Sequence, residues 1–229
     1  MTPDQVHSFN DRGIVRLDGF HARGVAPVRQ RVLDELRRLT GGKGLPRAVQ
    51  GLPVFQQIGK LSSLVKVPGA HGALVTPALM ACIGQLSGRA APVPQPLQLL
   101  LSPPQQGAWR LEGLNWHVDV VADPPGRLPG IQAFFLIDDV APHGGATLAL
   151  AGSHRAAAQR GADGVSLREA LRSTADRAAR LQALGVDVVE MSGRAGDVYL
   201  MDMRLLHTPS INATRQMRLM ATTRCLFGP

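Results

Sequence analysis

The chain has 229 residues, 45% of them hydrophobic and 18% charged, with a formal net charge of +8. That length and apolar content can bury a sizeable core, so one domain over residues 1–229 is expected. Lysine occurs only at Lys43, Lys60 and Lys66, the arginines are dispersed and aromatic residues make up 4%, so neither a phosphate-neutralising cluster nor a base-stacking platform is visible and nucleic acid is not an expected partner.

Thr2 to Arg12 is a helix candidate with a Thr-Pro start, and Gly13 to Leu17 reads as a strand. From Val25 to Leu39 the apolar residues Val25, Val28, Val32, Leu33, Leu36 and Leu39 recur at helical spacing, and Gly41-Gly42-Lys43-Gly44 ends that helix. Leu45 to Pro68 shows no regular period, and we read this long irregular segment as part of a substrate entrance. Pro77 to Leu86 reads as another helix, followed by the proline-rich stretch Pro92-Val93-Pro94-Gln95-Pro96. Strand-like runs then dominate: Leu97 to Leu101, Leu114 to Asp119, Ile131 to Ile137, Thr147 to Leu150, Val186 to Glu190, Asp197 to Leu200, Leu205 to Thr208 and Met217 to Leu226. One amphipathic helix is expected between Ser166 and Leu184. This order predicts a mainly β fold, a double-stranded β-helix (jelly roll, cupin-like) with flanking α-helices. Residues 1–90 would be a helical part packing on the barrel, and residues 91–229 its core.

No apolar run is long enough to span a bilayer, and the opening Met1-Thr2-Pro3-Asp4-Gln5 lacks the basic start and apolar stretch of a secretory signal, so a cytoplasmic location is expected. Cys82 and Cys225 have no paired spacing, which points away from a disulfide framework or a zinc finger. The run Gly152-Ser153-His154 lacks the Gly-x-Ser-x-Gly elbow of a hydrolase and reads as a turn that closes a strand.

The informative cluster is Asn115-Trp116-His117-Val118-Asp119, with a second histidine far downstream at His207. His-x-Asp by itself is common, and a lone histidine is more often a hydrogen-bonded core residue than a ligand. On a strand, however, His117 and Asp119 face the same side while Trp116 and Val118 face the other. Two imidazoles and one carboxylate on adjacent positions of a ferrous ion leave other positions open for a co-substrate and dioxygen. In the last run the same period of two puts Arg218, Met220, Thr222 and Arg224 on one side, where a guanidinium can grip a carboxylate.

At these residues the chain resembles the phytanoyl-CoA dioxygenase-like iron(II)- and 2-oxoglutarate-dependent oxygenases. The likeness spans nearly the whole length, from Leu17-Asp18-Gly19-Phe20 through Trp116-His117-Val118-Asp119, Phe134 to Val140, Gly144-Gly145-Ala146-Thr147-Leu148 and Gly152-Ser153-His154-Arg155 to Gly196-Asp197, His207 and Arg218. The resemblance implies that His117, Asp119 and His207 bind iron and that Arg218 binds the far carboxylate of 2-oxoglutarate. A small residue and then a serine are usual after the distal histidine, but here Thr208-Pro209-Ser210 follows, so the hydroxyl partner of that carboxylate falls to Thr208, to Ser210 or to neither. Gln98 and Phe134 are further co-substrate candidates. Gln132, Trp116 and Arg224 are substrate candidates, as are Trp109, Arg110 and Arg155. Arg224 and the net charge motivate an anionic small-molecule substrate.

The resemblance implies hydroxylation of a C–H bond with release of succinate and carbon dioxide. The carboxylate at Asp119 favours this over halogenation, because halogenating relatives carry a small residue there. Desaturation, cyclisation or epimerisation with the same cofactors remains an alternative, and a non-catalytic jelly-roll binding protein is a third.

Overall fold

The computed structural model describes residues 1–90, 92–120, 126–156, 165–173 and 176–228. In chain order the elements are α1 (Pro3–Arg12), β1 (Ile14–Leu17), α2 (Val25–Thr40), α3 (Val54–Leu64), α4 (Ala70–Leu74), α5 (Pro77–Ser87), β2 (Gln98–Ser102), β3 (Gly130–Leu136), β4 (Thr147–Ala151), α6 (Ser153–Ala156), α7 (Leu167–Arg172), α8 (Arg177–Ala183), β5 (Asp187–Glu190), β6 (Val198–Asp202), β7 (His207–Pro209) and β8 (Arg218–Leu226). Local chemistry explains the first of them. Thr2 and Gln5 form a reciprocal capping box with Pro3 in the first turn, and Gly13 closes α1 in the left-handed conformation, its N–H donating to the Phe9 carbonyl. In α2 the buried Val25, Val28, Val32 and Leu36 follow helical spacing and supply its core face.

The strands form two antiparallel sheets, a five-stranded one in the order β1-β6-β3-β8-β2 and a three-stranded one in the order β5-β4-β7. Alternation along each strand sorts the core into layers. One face of the larger sheet, with Leu101, Ile131, Phe135, Leu200 and Leu219, packs on Val28, Val32, Leu61, Leu79 and Ile83 of the N-terminal helices. Its other face, with Phe134, Leu136, Met201 and Met220, meets Ala149 and Ala151 of β4 across the interior. Outside the smaller sheet, Leu150 and Val186 pack on Leu167, Ala170 and Leu181. The architecture is a jelly roll with helices outside both sheets. Among the described residues, no helix is long and apolar enough to cross a membrane.

Three expectations change. The irregular stretch Leu45 to Pro68 contains α3, whose buried Ile58 and Leu61 face the sheet. Its Ser62 hydroxyl accepts the Leu101 N–H at 2.9 Å, satisfying a donor on the outer edge of β2. The run Leu114 to Asp119 forms no extended strand; only His117 pairs, in an isolated bridge. The single helix expected over Ser166 to Leu184 is two, with Asp176 in the left-handed conformation just before α8. The strand read over Gly13 to Leu17 is β1, which pairs with β6 at the end of the larger sheet.

Asp197 ties that end together. Its buried carboxylate accepts from the Gly19 N–H, the Arg194 N–H and the Arg16 guanidinium, each at 2.7 Å. Gly196, next to it, has φ +92, and a Cβ there would lie 2.5 Å from the Ala22 nitrogen. Gly196→Ala is therefore expected to destabilise the fold by about 1–3 kcal/mol from backbone conformation, with the overlap adding to it. Urea unfolding checks this: the midpoint should fall with an unchanged slope, and an unchanged midpoint would refute the close approach.

Candidate metal centre

His207 opens β7, and its backbone makes a reciprocal pair with His117, N–H to carbonyl at 3.1 Å in one direction and 2.9 Å in the other. Residues opposed in an antiparallel pair project to the same side, and here the two imidazole centroids are 4.6 Å apart. Each Nδ1 lies on the carbonyl two residues earlier, at 2.9 Å from Asn115 and 3.1 Å from Leu205. A carbonyl can only accept, so each Nδ1 carries the proton and each Nε2 presents its lone pair. Both Nε2 atoms lie 3.7 Å from the Asp119 carboxylate, one on Oδ1 and one on Oδ2.

The three candidate ligand atoms all fall within 4.8 Å of one another. Donors bound at about 2 Å from one ion stand about 3–4 Å apart, so the donor set fits a single divalent cation with little adjustment. His207 is buried, and that burial lowers its pKa, keeping the imidazole neutral as a ligand must be. Arg224 donates to Asp119 Oδ2 from Nε at 2.8 Å and from Nη2 at 2.6 Å, which orients the carboxylate and balances its charge. Its guanidinium is thus committed to Asp119, a different place from the substrate contact expected of it.

Arg218 is the electrostatic anomaly. The residue is 3% exposed and sits on the inner face with Met220. Among the described residues its guanidinium meets only the Met220 sulfur, at 3.4 Å from Nη1, and its buried Nε has no partner. Desolvation pushes its pKa down to about 9. A carboxylate arriving from solution would restore what burial removed.

The remaining candidates divide by strand parity. Phe134 lies on the inner face, opposite Thr222 and Tyr199. Gln132 is buried opposite Arg224, and its Nε2 donates to Thr222 Oγ1 at 3.0 Å. The Thr222 hydroxyl itself donates to the Ala133 carbonyl, so the amide orientation is determined and Gln132 Oε1 is left without a partner among the described residues. Gln98 stands opposite Thr222 at the rim of a cavity of about 840 Å³ between α3, residues 65–71 and β2.

Thr208 is a correction. It pairs with Leu148, on the face turned away from His207, and its hydroxyl donates to the Pro209 carbonyl. Ser210 spends its hydroxyl on the Ala146 carbonyl at 2.7 Å. Trp116 is another correction: it packs on the apolar cluster of Leu150, Leu167 and Leu181 outside the smaller sheet. Arg155 pairs with Asp11, and Trp109 stacks on His143 at 4.3 Å.

Two polar side chains near Arg218 were not singled out by sequence reasoning. Ser102 is its cross-strand partner, and the Ser102 hydroxyl donates to Gln106 Oε1 at 2.9 Å. No motif marks them, because their place depends on the pairing of β2 with β8.

Replacing the unpaired cation tests its cost. A group whose folded pKa is lowered from the ordinary arginine range to about 9 binds fewer protons folded than unfolded above that value, so stability rises with pH there and the penalty is fully present at neutral pH. Arg218→Met should therefore raise the stability of the ligand-free protein at neutral pH by about 1–4 kcal/mol. A lower melting temperature for this variant would show that the guanidinium is already compensated.

The family model of phytanoyl-CoA dioxygenase (PhyH) matches residues 70–220. No match is found among curated protein sequences. Among solved structures, AviO1 from Streptomyces viridochromogenes Tue57 superposes with a TM-score of 0.58 at 18% identity, covering 98% of this chain and 94% of that one. The non-haem alpha-ketoglutarate-dependent carbocyclase SnoK from nogalamycin biosynthesis gives 0.61 at 17% identity, covering 99% and 84%. EctD from S. alaskensis, solved with 2-oxoglutarate and 5-hydroxyectoine, gives 0.61 at 21% identity, covering 99% and 76%. These structures share the fold, and the family match spans more than half of the sequence, including all three candidate ligands and Arg218. The chain therefore belongs to the phytanoyl-CoA dioxygenase family of iron(II)- and 2-oxoglutarate-dependent oxygenases.

Proposed function

We propose that the protein hydroxylates a C–H bond of a small molecule, with His117, Asp119 and His207 holding iron(II) and Arg218 holding the far carboxylate of 2-oxoglutarate. The observation that carries this reading is the buried Arg218 guanidinium, which faces the interior without a carboxylate partner among the described residues. A binding module without catalysis has no use for such a costly cation beside a three-residue donor set, which argues against the non-catalytic alternative. When bound, iron(II) supplies the oxidation chemistry in which dioxygen and 2-oxoglutarate are consumed, one oxygen atom goes to the substrate, and succinate and carbon dioxide leave.

The chain's own part is orientation and dryness. The Asn115 and Leu205 carbonyls hold the two imidazoles with Nε2 forward, and Arg224 holds Asp119. Phe134, Leu136, Met201 and Met220 give the inner face of the larger sheet an apolar surface that excludes water. The unpaired Gln132 Oε1 offers an acceptor to a hydroxyl or amine of the substrate. Because the Arg224 charge is already met by Asp119, an anionic substrate has no free cation to rest on at that position.

A second reading keeps the cofactors and changes the outcome to cyclisation or epimerisation. It is favoured by the likeness in fold to the carbocyclase SnoK and to SnoN, described as a non-heme alpha-ketoglutarate-dependent epimerase. Product mass separates the readings: hydroxylation adds one oxygen, oxidative ring closure removes two hydrogens and epimerisation leaves the mass unchanged.

Succinate formation after anaerobic loading with iron(II) and 2-oxoglutarate, followed by air, tests the common part. Asp119→Ala should abolish it. Arg218→Ala should weaken 2-oxoglutarate by about 1.5–3 kcal/mol, roughly tenfold to 150-fold in Kd, with iron binding retained. Succinate release by Asp119→Ala at the wild-type rate, or an unchanged Kd in Arg218→Ala, would remove that residue from its role.

A further inference from the structure

We infer that the Gln106 side-chain amide forms the second half of the pocket for the far carboxylate of 2-oxoglutarate, beside Arg218 and in place of the serine hydroxyl usual after the distal histidine. This rests on the co-substrate reading above. Ser102, the cross-strand partner of Arg218, is fully buried and shares its face of the sheet. Gln106 Oε1 accepts from the Ser102 hydroxyl at 2.9 Å and from the Asn212 N–H at 3.2 Å. A backbone N–H can only donate, so the oxygen of this amide is identified and the NH₂ group is the free end. Among the described residues that buried Nε2 has no partner.

The amide is also rigidly mounted. The Gln106 backbone N–H donates to the Asn212 carbonyl at 2.8 Å, and Asn212, itself buried, donates to the Ser102 and Gln216 carbonyls. Gly145 packs against this support so closely that a Cβ would stand 2.7 Å from the Asn212 Cβ and 3.0 Å from the Ser102 hydroxyl. Two unpaired buried donors, the Arg218 Nε and the Gln106 Nε2, therefore flank Ser102 at one end of β2 and β8. Donors left over without acceptors are complementary to an anion. The hydroxyls that the sequence offered for this position are engaged elsewhere, Thr208 on the opposite face and Ser210 on the Ala146 carbonyl.

Gln106→Glu is the discriminating variant, since it keeps an oxygen for Ser102 and Asn212 and exchanges only the free NH₂ for a negative oxygen. That oxygen would pair with Arg218. The ligand-free variant should melt at a higher temperature than wild type, and its Kd for 2-oxoglutarate, measured calorimetrically on the iron(II)-loaded protein without air, should rise about a hundredfold or more. Iron(II) affinity should be unchanged, as should the affinity for pyruvate, which has the keto acid end but no far carboxylate. Gln106→Leu should raise the 2-oxoglutarate Kd about tenfold. If wild type binds 2-oxoglutarate, Arg218→Ala loses it and Gln106→Glu binds it normally with no gain in melting temperature, the inference on Gln106 fails alone. If wild type with iron(II) does not bind 2-oxoglutarate, the co-substrate reading fails and this inference with it.

Discussion

The reciprocal backbone pair between His117 and His207 is the constraint on which the site depends. It joins residues 90 positions apart and sets both imidazoles on one side of a narrow antiparallel pair. Once that pair forms, Asp119 is brought within 3.7 Å of both Nε2 atoms, and the carbonyls of Asn115 and Leu205 determine which nitrogen faces it. A bridge of one residue is weak by itself, so the segment carrying His117 and Asp119 is held as much by what its side chains grip as by sheet hydrogen bonding. Arg224, reaching over from β8, supplies one such grip, and a bound cation would supply the strongest.

The two arginines of β8 divide the electrostatics of the interior. Arg224 is matched by Asp119, so at that end the protein is balanced before any ligand arrives. Arg218, six residues earlier on the same strand face, is unmatched among the described residues, and burial pushes its pKa down to about 9. On the proposed reading, stability is given up at the position where the co-substrate's charge would be needed, the usual relation between a preorganised binding site and the fold that carries it. The apolar lining between them keeps this imbalance unscreened.

Much of this was legible in the sequence, because a period of two is easy to read where one sheet face is buried. The inner parity of Arg218, Met220, Thr222 and Arg224 and that of Gln132 and Phe134 follow from it. The same parity, applied to His207, places Thr208 on the opposite side, and applied to His117 it sends Trp116 outward, so those two candidates were separable without coordinates. What could not be read is what depends on register. That Ser102 and Gln106 stand by Arg218 follows from which residue of β2 faces which residue of β8. Arg224 could be placed inward, but its pairing with Asp119 requires the path of the 114–119 segment. The helix α3 went unread although Val54, Ile58, Leu61 and Leu64 keep helical spacing, because no side-chain cap or acidic first turn marks its start after Pro53 and the preceding Leu45 to Leu52 has no period.

On the proposed reading three side chains, two of them aligned by one backbone pair, would share a single ferrous ion while a separate buried guanidinium would anchor the co-substrate. A crystal structure of the protein grown without air in iron(II) and 2-oxoglutarate tests it most directly. The expected result is one metal bonded to His117 Nε2, His207 Nε2 and the Asp119 carboxylate, with the far carboxylate of 2-oxoglutarate on Arg218. A metal bound through other residues, or 2-oxoglutarate seated with Arg218 still unpaired, would contradict it.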